Sequence, residues 1–202
     1  MTTATDLLTL GVDAQDLLFR AARTANTFTT DPVTDEQIQV IYDLVKYAPT
    51  SMNSQPLRVV LLRTPQARAR LIPLLMEANQ AKTEKAPLTA ILVADTQFHE
   101  ELPRLFPHKP GVKDFFATDP AAREHVARFN ATLQVGYFLL GIRAAGLAAG
   151  PMTGFQAAGV DAEFFPDGRY KTLAVVNIGI PGPDAWLDRL PRLTHDEVVS
   201  SL

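Results

Sequence analysis

PTSMNSQP, residues 49–56, is the stretch on which the reading of the fold turns. Two prolines fix its course, while Thr50, Ser51, Asn53, Ser54 and Gln55 present uncharged polar side chains directly after a helical segment. Such a loop can hydrogen-bond a polar planar ring. On composition alone the simpler reading is a helix-ending turn whose polar groups satisfy their own backbone. Upstream, Thr34 followed by Gln37 predicts a capping box that opens a helix, with Ile38, Ile41, Leu44 and Val45 at helical spacing until Pro49 stops it. Downstream, LRVVLLRT (57–64) is a β-rich run, Pro65 opens a helix through about Glu77, and LTAILVAD (88–95) is a second strand. Both strands read as core strands.

Further out, Ala14 to about Arg23 reads as a helix with Leu17 and Leu18 on its apolar face and a basic end at Arg20 and Arg23. Asp119 and Pro120 are a cap and first-turn pair for the longest helix, expected over 119–149, in which Val126, Phe129, Leu133, Tyr137, Leu140 and Leu147 recur at three- and four-residue steps before Gly150-Pro151 ends it. YKTLAVVNIGI (170–180) is a third strand, and Thr194 with Glu197 caps a short final helix. These elements predict an α+β class, a small mixed or antiparallel sheet surrounded by helices. No repeat or linker divides the chain, so 1–202 is expected to be a single domain, with the Pro- and aromatic-rich 102–118 as an excursion or lid.

Composition closes several routes. Across 202 residues, 19 Lys+Arg stand against 22 Asp+Glu, which leaves no electrostatic footprint for nucleic acid or an anionic membrane surface. With no cysteine, disulfide scaffolds, thiolate metal sites and cysteine nucleophiles are excluded together. MTTATDLLTLGVDAQ has no basic leader and is broken by Thr9, Gly11 and Asp13, so a cytoplasmic protein is expected. The apolar window 131–150 carries Gln134 and Arg143 and reads as a buried helix rather than a membrane span. Neither Gly-x-x-x-x-Gly-Lys-Ser/Thr nor Gly-x-Gly-x-x-Gly after a strand occurs. His99, His108, His125 and His195 are scattered without metal-ligand spacing, and neither Ser51 nor Ser54 lies in a nucleophile elbow.

PTSMNSQP resembles the P-S/T-S/A-x-N-x-Q-P loop of the FMN-dependent nitroreductase superfamily, and the chain offers that family's other flavin contacts in the same order. Arg23, Thr24 and Asn26, in ARTANTF, are similar to the segment in which Arg and Ser hold FMN and a later position faces the pyrimidine ring. Ala22 stands where the family's first Arg is usual. NQAK (79–82) is similar to the N-x-x-K contact near flavin N1 and O2, which gives Asn79 and Lys82 those roles. GPMTGF (150–155) resembles the stretch whose backbone amides, here of Thr153 and Gly154 after Pro151 and Met152, approach flavin N5 and O4. DRLPRL (188–193) is similar to K-x-R-L-P, with Arg189 in the phosphate-binding place and Leu187 where Lys is usual, so that phosphate neutralisation would be shared with Arg23, Arg20 or Arg192.

The resemblance implies a nitroreductase-like fold, FMN at the interface of a homodimer built on the long helix, and NADH or NADPH as co-substrate. It implies that Pro49, Thr50, Ser51, Asn53 and Gln55 contact flavin, the first four of them reaching FMN bound mainly by the partner. It also implies that the flavin carries the chemistry: hydride passes from the nicotinamide to N5 and then to a second substrate, with Lys82 as electrostatic stabiliser of the reduced ring. LFPH (105–108), GPMTGF, NIG (177–179) and RLPRL (189–193) resemble the malonic semialdehyde reductase branch. A small aldehyde going to 3-hydroxypropionate is therefore the preferred substrate. A broad nitro or quinone reductase is the alternative, and a redox-silent flavin-binding protein is the reading from another class.

Overall fold

The computed structural model describes residues 8–202; residues 1–7, the front of the segment read above as lacking a secretory leader, lie outside the described residues. Helix α1 (Val12–Gln15) runs on as a π turn, Asp16–Arg20. The helix expected over Ala14–Arg23 thus starts and stops earlier. Its apolar face is only partly covered, since Leu17 is exposed and Leu18 half-buried while Gln15 is buried. Helix α2 (Asp35–Val45) opens on the expected box: the Thr34 hydroxyl accepts from the Gln37 N–H, and the Gln37 side chain accepts from the Thr34 N–H. After the 49–56 loop comes β1 (Leu57–Leu62).

Thr64 caps α3 (Pro65–Leu71), where a single helix to Glu77 was expected. Pro73, lacking an N–H, allows only a 3-10 turn over Ile72–Leu74, and the chain restarts as α4 (Glu77–Lys85). Strand β2 (Leu88–Asp95) leads to α5 (Leu102–Leu105) and α6 (Val112–Thr118). The Asp119 side chain then accepts from the Ala121 and Ala122 N–H groups to cap α7 (Pro120–Ala144).

Helix α7 ends five residues earlier than the sequence reading placed it. Gly146 adopts φ 76°, its N–H donates to the Arg143 carbonyl, and the Leu147 N–H donates to the Ile142 carbonyl. This is a Schellman stop, for which glycine is the usual residue. The apolar run beyond it becomes β3 (Ala148–Met152), an unforeseen strand with Pro151 tolerated because β3 is an edge. Helix α8 (Ala157–Phe164), also unforeseen, precedes β4 (Tyr170–Gly179), and α9 (His195–Val198) is the last element.

The four strands form one antiparallel sheet in the order β1-β2-β4-β3. Every residue of β2 is buried, as expected of a core strand, whereas β1 is a half-buried edge rather than a second core strand. On one face Leu88, Ala90, Leu92, Val176 and Ile178 pack with Ile41, Phe138 and Ile142 of α2 and α7; on the other, Ile91, Val93 and Val175 pack with Leu71 and Val160 of α3 and α8. Leu102, Val112 and Phe116 pack with Phe98, Ala127 and Ala131, so the 102–118 excursion is anchored at both ends by its own apolar cluster. No helix among the described residues is long and apolar enough to cross a membrane.

The crossing of α2 and α7 depends on Gly141. A Cβ there would stand 2.5 Å from Val45 Cγ1 and 3.1 Å from Ile41 Cγ2. Gly141→Ala gains helix propensity of about 1 kcal/mol. It must also force the packed helices away from each other, an overpacking cost of roughly 1–3 kcal/mol. A net loss of stability is therefore expected, read as a lower urea midpoint at unchanged m-value.

Candidate functional site

The residues singled out by sequence fall into two groups. The first surrounds β3. Segment 23–26 runs along its outer edge, where the Ala25 N–H donates to the Ala149 carbonyl at 2.9 Å. The Ala25 carbonyl comes so close that a Cβ on Gly150 would stand 2.6 Å from it. The same segment is clasped to the chain beyond β4: the Asn26 N–H donates to the Ala185 carbonyl at 3.0 Å, and the Gly182 N–H to the Thr27 carbonyl at 3.1 Å. Arg23 Nη1 donates to the Leu187 carbonyl at 3.2 Å, while Arg189 Nη2 donates to the Arg20 carbonyl and, at 3.2 Å, to that of Ala22.

Two guanidinium groups from opposite ends of the sequence therefore stand together beside Thr24 and Asn26. Both are exposed and touch only neutral carbonyls; among the described residues no carboxylate pairs with either. That leaves their charge available to a phosphate-type anion. Of the further candidates for that role, Arg20 is already paired with Asp16 at 2.5 Å, and Arg192 donates to the Leu190 and Pro191 carbonyls beside it.

Helix α4 closes the other side of this group. The Asn79 Nδ2 and the Met76 N–H both donate to the Gly154 carbonyl at 3.0 Å. A Cβ on Gly154 would meet Asn79 Nδ2 and Met76 Sδ at 2.8 Å each, so any larger residue would displace these two side-chain ends. Deeper in, buried Thr83 reaches Met152 Sδ at 3.8 Å and accepts from Asn177 Nδ2 at 3.1 Å, while the Thr89 hydroxyl donates to Asn177 Oδ1 at 2.9 Å. This chain of polar groups pins α4 to β2, β3 and β4.

Lys82 lies three residues after Asn79 and one before Thr83, which places it on the side of α4 that faces the end of β3. It is half-buried, and among the described residues its ammonium has no hydrogen-bond or ion-pair partner. The Thr153 and Gly154 amides likewise have no acceptor among the described residues. Met76, Thr83, Thr89 and Asn177 escaped the sequence reading. The available signal was a Thr and an Asn set inside otherwise apolar strands, since a buried polar side chain implies a partner.

The second group is the 49–56 loop. The Ser51 N–H donates to Oδ1 of buried Asn130 at 2.7 Å, and Asn53 Nδ2 donates to the Leu105 carbonyl at 2.9 Å, tying the loop to α7 and α5. Gln55 Nε2 donates to Asn53 Oδ1 at 2.8 Å, and the Gln55 N–H to Thr50 Oγ1 at 3.2 Å. The loop thus satisfies part of its own polarity, as the composition-only reading requires. A plain turn does not explain its backbone, however: Met52, Asn53 and Gln55 all hold positive φ, at 53°, 50° and 42°. Such conformations cost about 1–3 kcal/mol each away from glycine and cluster at functional sites. Ser54 Oγ is buried with no partner. A groove of about 700 Å³, bordered by Tyr42, Gln55, Arg58 and Leu105, and a smaller one of about 430 Å³, bordered by Tyr47, Thr50 and Asn53, open beside the loop.

The two groups are not brought together within one copy of the chain. The loop feeds β1 and the first group surrounds β3, the opposite edges of the sheet. Three inter-strand steps, about 14 Å, separate those edges. The first group by itself fits a phosphate-bearing planar cofactor such as FMN, with two uncompensated guanidiniums for the phosphate and an amide pair and an unpartnered ammonium for a polar ring edge.

Comparison with known proteins gives this arrangement a family. Residues 20–180 match the model described as Nitroreductase family. A Streptomyces coelicolor protein with the provisional name NADH dehydrogenase/NAD(P)H nitroreductase is 60% identical over 195 residues, spanning 96% of this chain and 99% of its own length. A protein of Exiguobacterium sibiricum solved in complex with FMN superposes with a TM-score of 0.83 at 19% identity, covering 96% of this chain and 99% of that one. The NADPH:FMN oxidoreductase of Vibrio harveyi, solved with NAD+, superposes at 0.73 with 22% identity, over 94% and 76% respectively. With the matched segment taking in the 49–56 loop, the α4 contacts and the whole sheet, the chain belongs to the nitroreductase family.

Proposed function

We propose that the chain is an FMN-dependent NAD(P)H oxidoreductase acting as a cytoplasmic homodimer. In this reading Arg23 and Arg189, with Thr24, hold the phosphate. Asn26, Asn79 and Lys82 meet the pyrimidine side of the ring, and the Thr153 and Gly154 amides, led in by Pro151 and Met152, meet its N5/O4 edge. The observation that carries the reading is the convergence on one edge of the sheet of two guanidiniums that no carboxylate neutralises, an unpartnered ammonium and two amides without acceptors among the described residues. The names of the relatives support it, since the Streptomyces protein is named for NAD(P)H and the Exiguobacterium structure contains FMN.

Bound FMN would supply two-electron transfer between a nicotinamide and a second substrate. The protein's role is position and charge. Arg23 and Arg189 anchor the phosphate end, and the Gly154 contact excludes any side chain that would block approach to the ring. Lys82, in a half-buried setting where its field is little screened, favours extra negative charge on the pyrimidine edge.

The loop residues Pro49, Thr50, Ser51, Asn53 and Gln55 serve the flavin of the second copy, because they stand at the far edge from their own α4. Exposed apolar surface supports the dimer: Phe129, Leu133 and Tyr137 on α7, Tyr42 and Leu44 on α2, and Leu187, Leu190 and Leu193 beyond β4. Segment 102–118, bonded to the loop through Asn53, is the lid of that shared site. The second substrate in this proposal is a small aldehyde, malonic semialdehyde reduced to 3-hydroxypropionate, on the wording of residues 105–108, 150–155, 177–179 and 189–193. The broader nitro or quinone reductase fits equally, and the Streptomyces relative is itself named a nitroreductase. A panel of aldehydes, nitroaromatics and quinones on NAD(P)H-reduced protein separates the two. A protein that stays yellow with both nicotinamides is a redox-silent binder.

Three outcomes are expected. Mass spectrometry of cofactor released from purified protein identifies FMN; FAD, or no flavin after reconstitution of folded protein, overturns the site. Light scattering gives a flavin-loaded dimer, and a stable flavin-loaded monomer rejects the shared site. Lys82→Ala removes an interaction stronger in the reduced, anionic flavin than in the oxidised one. A loss of about 1.5–3 kcal/mol from the reduced form lowers the two-electron midpoint potential by roughly 30–60 mV. Dye-equilibrated titration at constant ionic strength reads it, and an unchanged potential at full occupancy removes Lys82 from the site.

A further inference from the structure

At the end of β2 the Asp95 carboxylate is wholly buried, a position retained only where charge and hydrogen bonds replace its hydration. Oδ1 accepts from Arg169 Nε at 2.9 Å and from the Gln97 N–H at 2.9 Å, and Oδ2 accepts from Arg169 Nη2 at 2.9 Å. This bidentate pair already neutralises the carboxylate. A second guanidinium nevertheless joins it: Arg58 Nη2 stands 3.0 Å from Oδ2.

The other arm of Arg58 points to what the second cation does. Its Nη1 donates to the Gln55 carbonyl at 2.8 Å and to the Leu57 carbonyl at 3.0 Å, while the Asp95 N–H donates to the Pro56 carbonyl at 2.8 Å. Three consecutive carbonyls, 55 to 57, are thereby held by the Asp95–Arg58 unit. Gln55 is the last of the three left-handed residues of the loop and the one whose amide is bonded back to Thr50. A non-glycine residue keeps such a backbone only where its surroundings over-determine it. Among the described residues Arg169 makes no hydrogen bond or ion pair to the loop; its other bonds run to Glu100, to Asp167 through its N–H and to Thr96 through its carbonyl.

We infer that Arg58, oriented by Asp95, is a positioning residue for the 49–56 loop: it locks Gln55 in the left-handed conformation and so sets how Thr50, Ser51 and Asn53 are presented to the flavin of the second copy. The inference rests on the proposed reading of that loop as a flavin contact. It requires a fork, because one planar guanidinium spans carboxylate and carbonyl together and an ammonium does not hold both in a fixed geometry. It also separates two arginines that share one carboxylate, since Arg58 acts on the loop and Arg169 only on the fold.

The test compares Arg58→Lys with Arg169→Lys in the flavin-loaded protein. FMN dissociation is followed by flavin fluorescence on serial dilution, and thermal stability is measured in excess FMN. Arg58→Lys is expected to raise the FMN Kd about tenfold, the consequence of losing one charge-assisted hydrogen bond that presents the loop. Arg58→Gln, which keeps a donor but not the fork, should do the same. Arg169→Lys is expected to lower the melting temperature at least as much while leaving the Kd within about twofold, because it breaks the bidentate pair without touching the loop. An unchanged Kd in Arg58→Lys, or Kd changes that follow melting temperature in both arginine variants alike, overturns the inference. Asn53→Ala tells which reading has failed. If it weakens FMN while Arg58→Lys does not, only the positioning role falls; if neither variant weakens FMN, the loop is not a flavin contact and both readings fall.

Discussion

Strand β2 is buried along its whole length, and that constraint organises the molecule. A strand covered on both faces needs two neighbours in the sheet and a helical layer above and below. Leu88, Ala90 and Leu92 point to α2 and α7, Ile91 and Val93 to α3 and α8, and β1 and β4 supply the hydrogen bonds on either side. With β4 holding β3 in turn, the sheet stops at four strands and has two edges, β1 and β3. The candidate site is distributed over those two edges.

Burial on this scale dictates the few polar groups that share it. Thr89 and Asn177 lie side by side in the middle strands, and Thr83 of α4 completes their bonding, so the requirement to satisfy two buried side chains fixes where α4 sits. Through that fixed helix Asn79 reaches Gly154, and half-buried Lys82 follows three residues later. At the other end of the sheet Asp95 has the corresponding role, its carboxylate drawing in Arg169 and Arg58 beside the start of β1. The Arg169 guanidinium is held well above its ordinary pKa by the hydrogen-bonded Asp95 carboxylate. His99, near the same corner, behaves in the opposite way. Burial, reinforced by Arg123, pushes its imidazole below its ordinary value.

A division of labour follows between the two edges. The β3 edge carries positive charge and open donors on rigid backbone, suited to hold a cofactor. The β1 edge carries a strained, uncharged loop and open grooves, suited to cover a ligand held elsewhere. In the proposed homodimer, a site completed by a second copy of the chain reconciles these halves. It also accounts for the apolar residues of α2, α7 and the segment beyond β4 that a single copy leaves in water.

The sequence by itself determined the fold class, the capping boxes at Thr34 and Thr194, the Asp119-Pro120 start of α7, and three of the four strands, because local chemistry and hydrophobic period decide these. The order of PTSMNSQP, NQAK and GPMTGF along the chain also sufficed to indicate the family. Other features were decided only by tertiary structure. AAGPM has neither β-branched residues nor alternation and is a strand solely because β4 offers it an edge, once Gly146 has closed α7. The seat of α4 against the sheet depends on where Thr83 finds Asn177. That β1 is an edge and β2 the centre, that Arg23 meets Arg189, and that Arg58 grips the 49–56 loop are pairings between residues far apart in the chain, and no local propensity encodes such pairings.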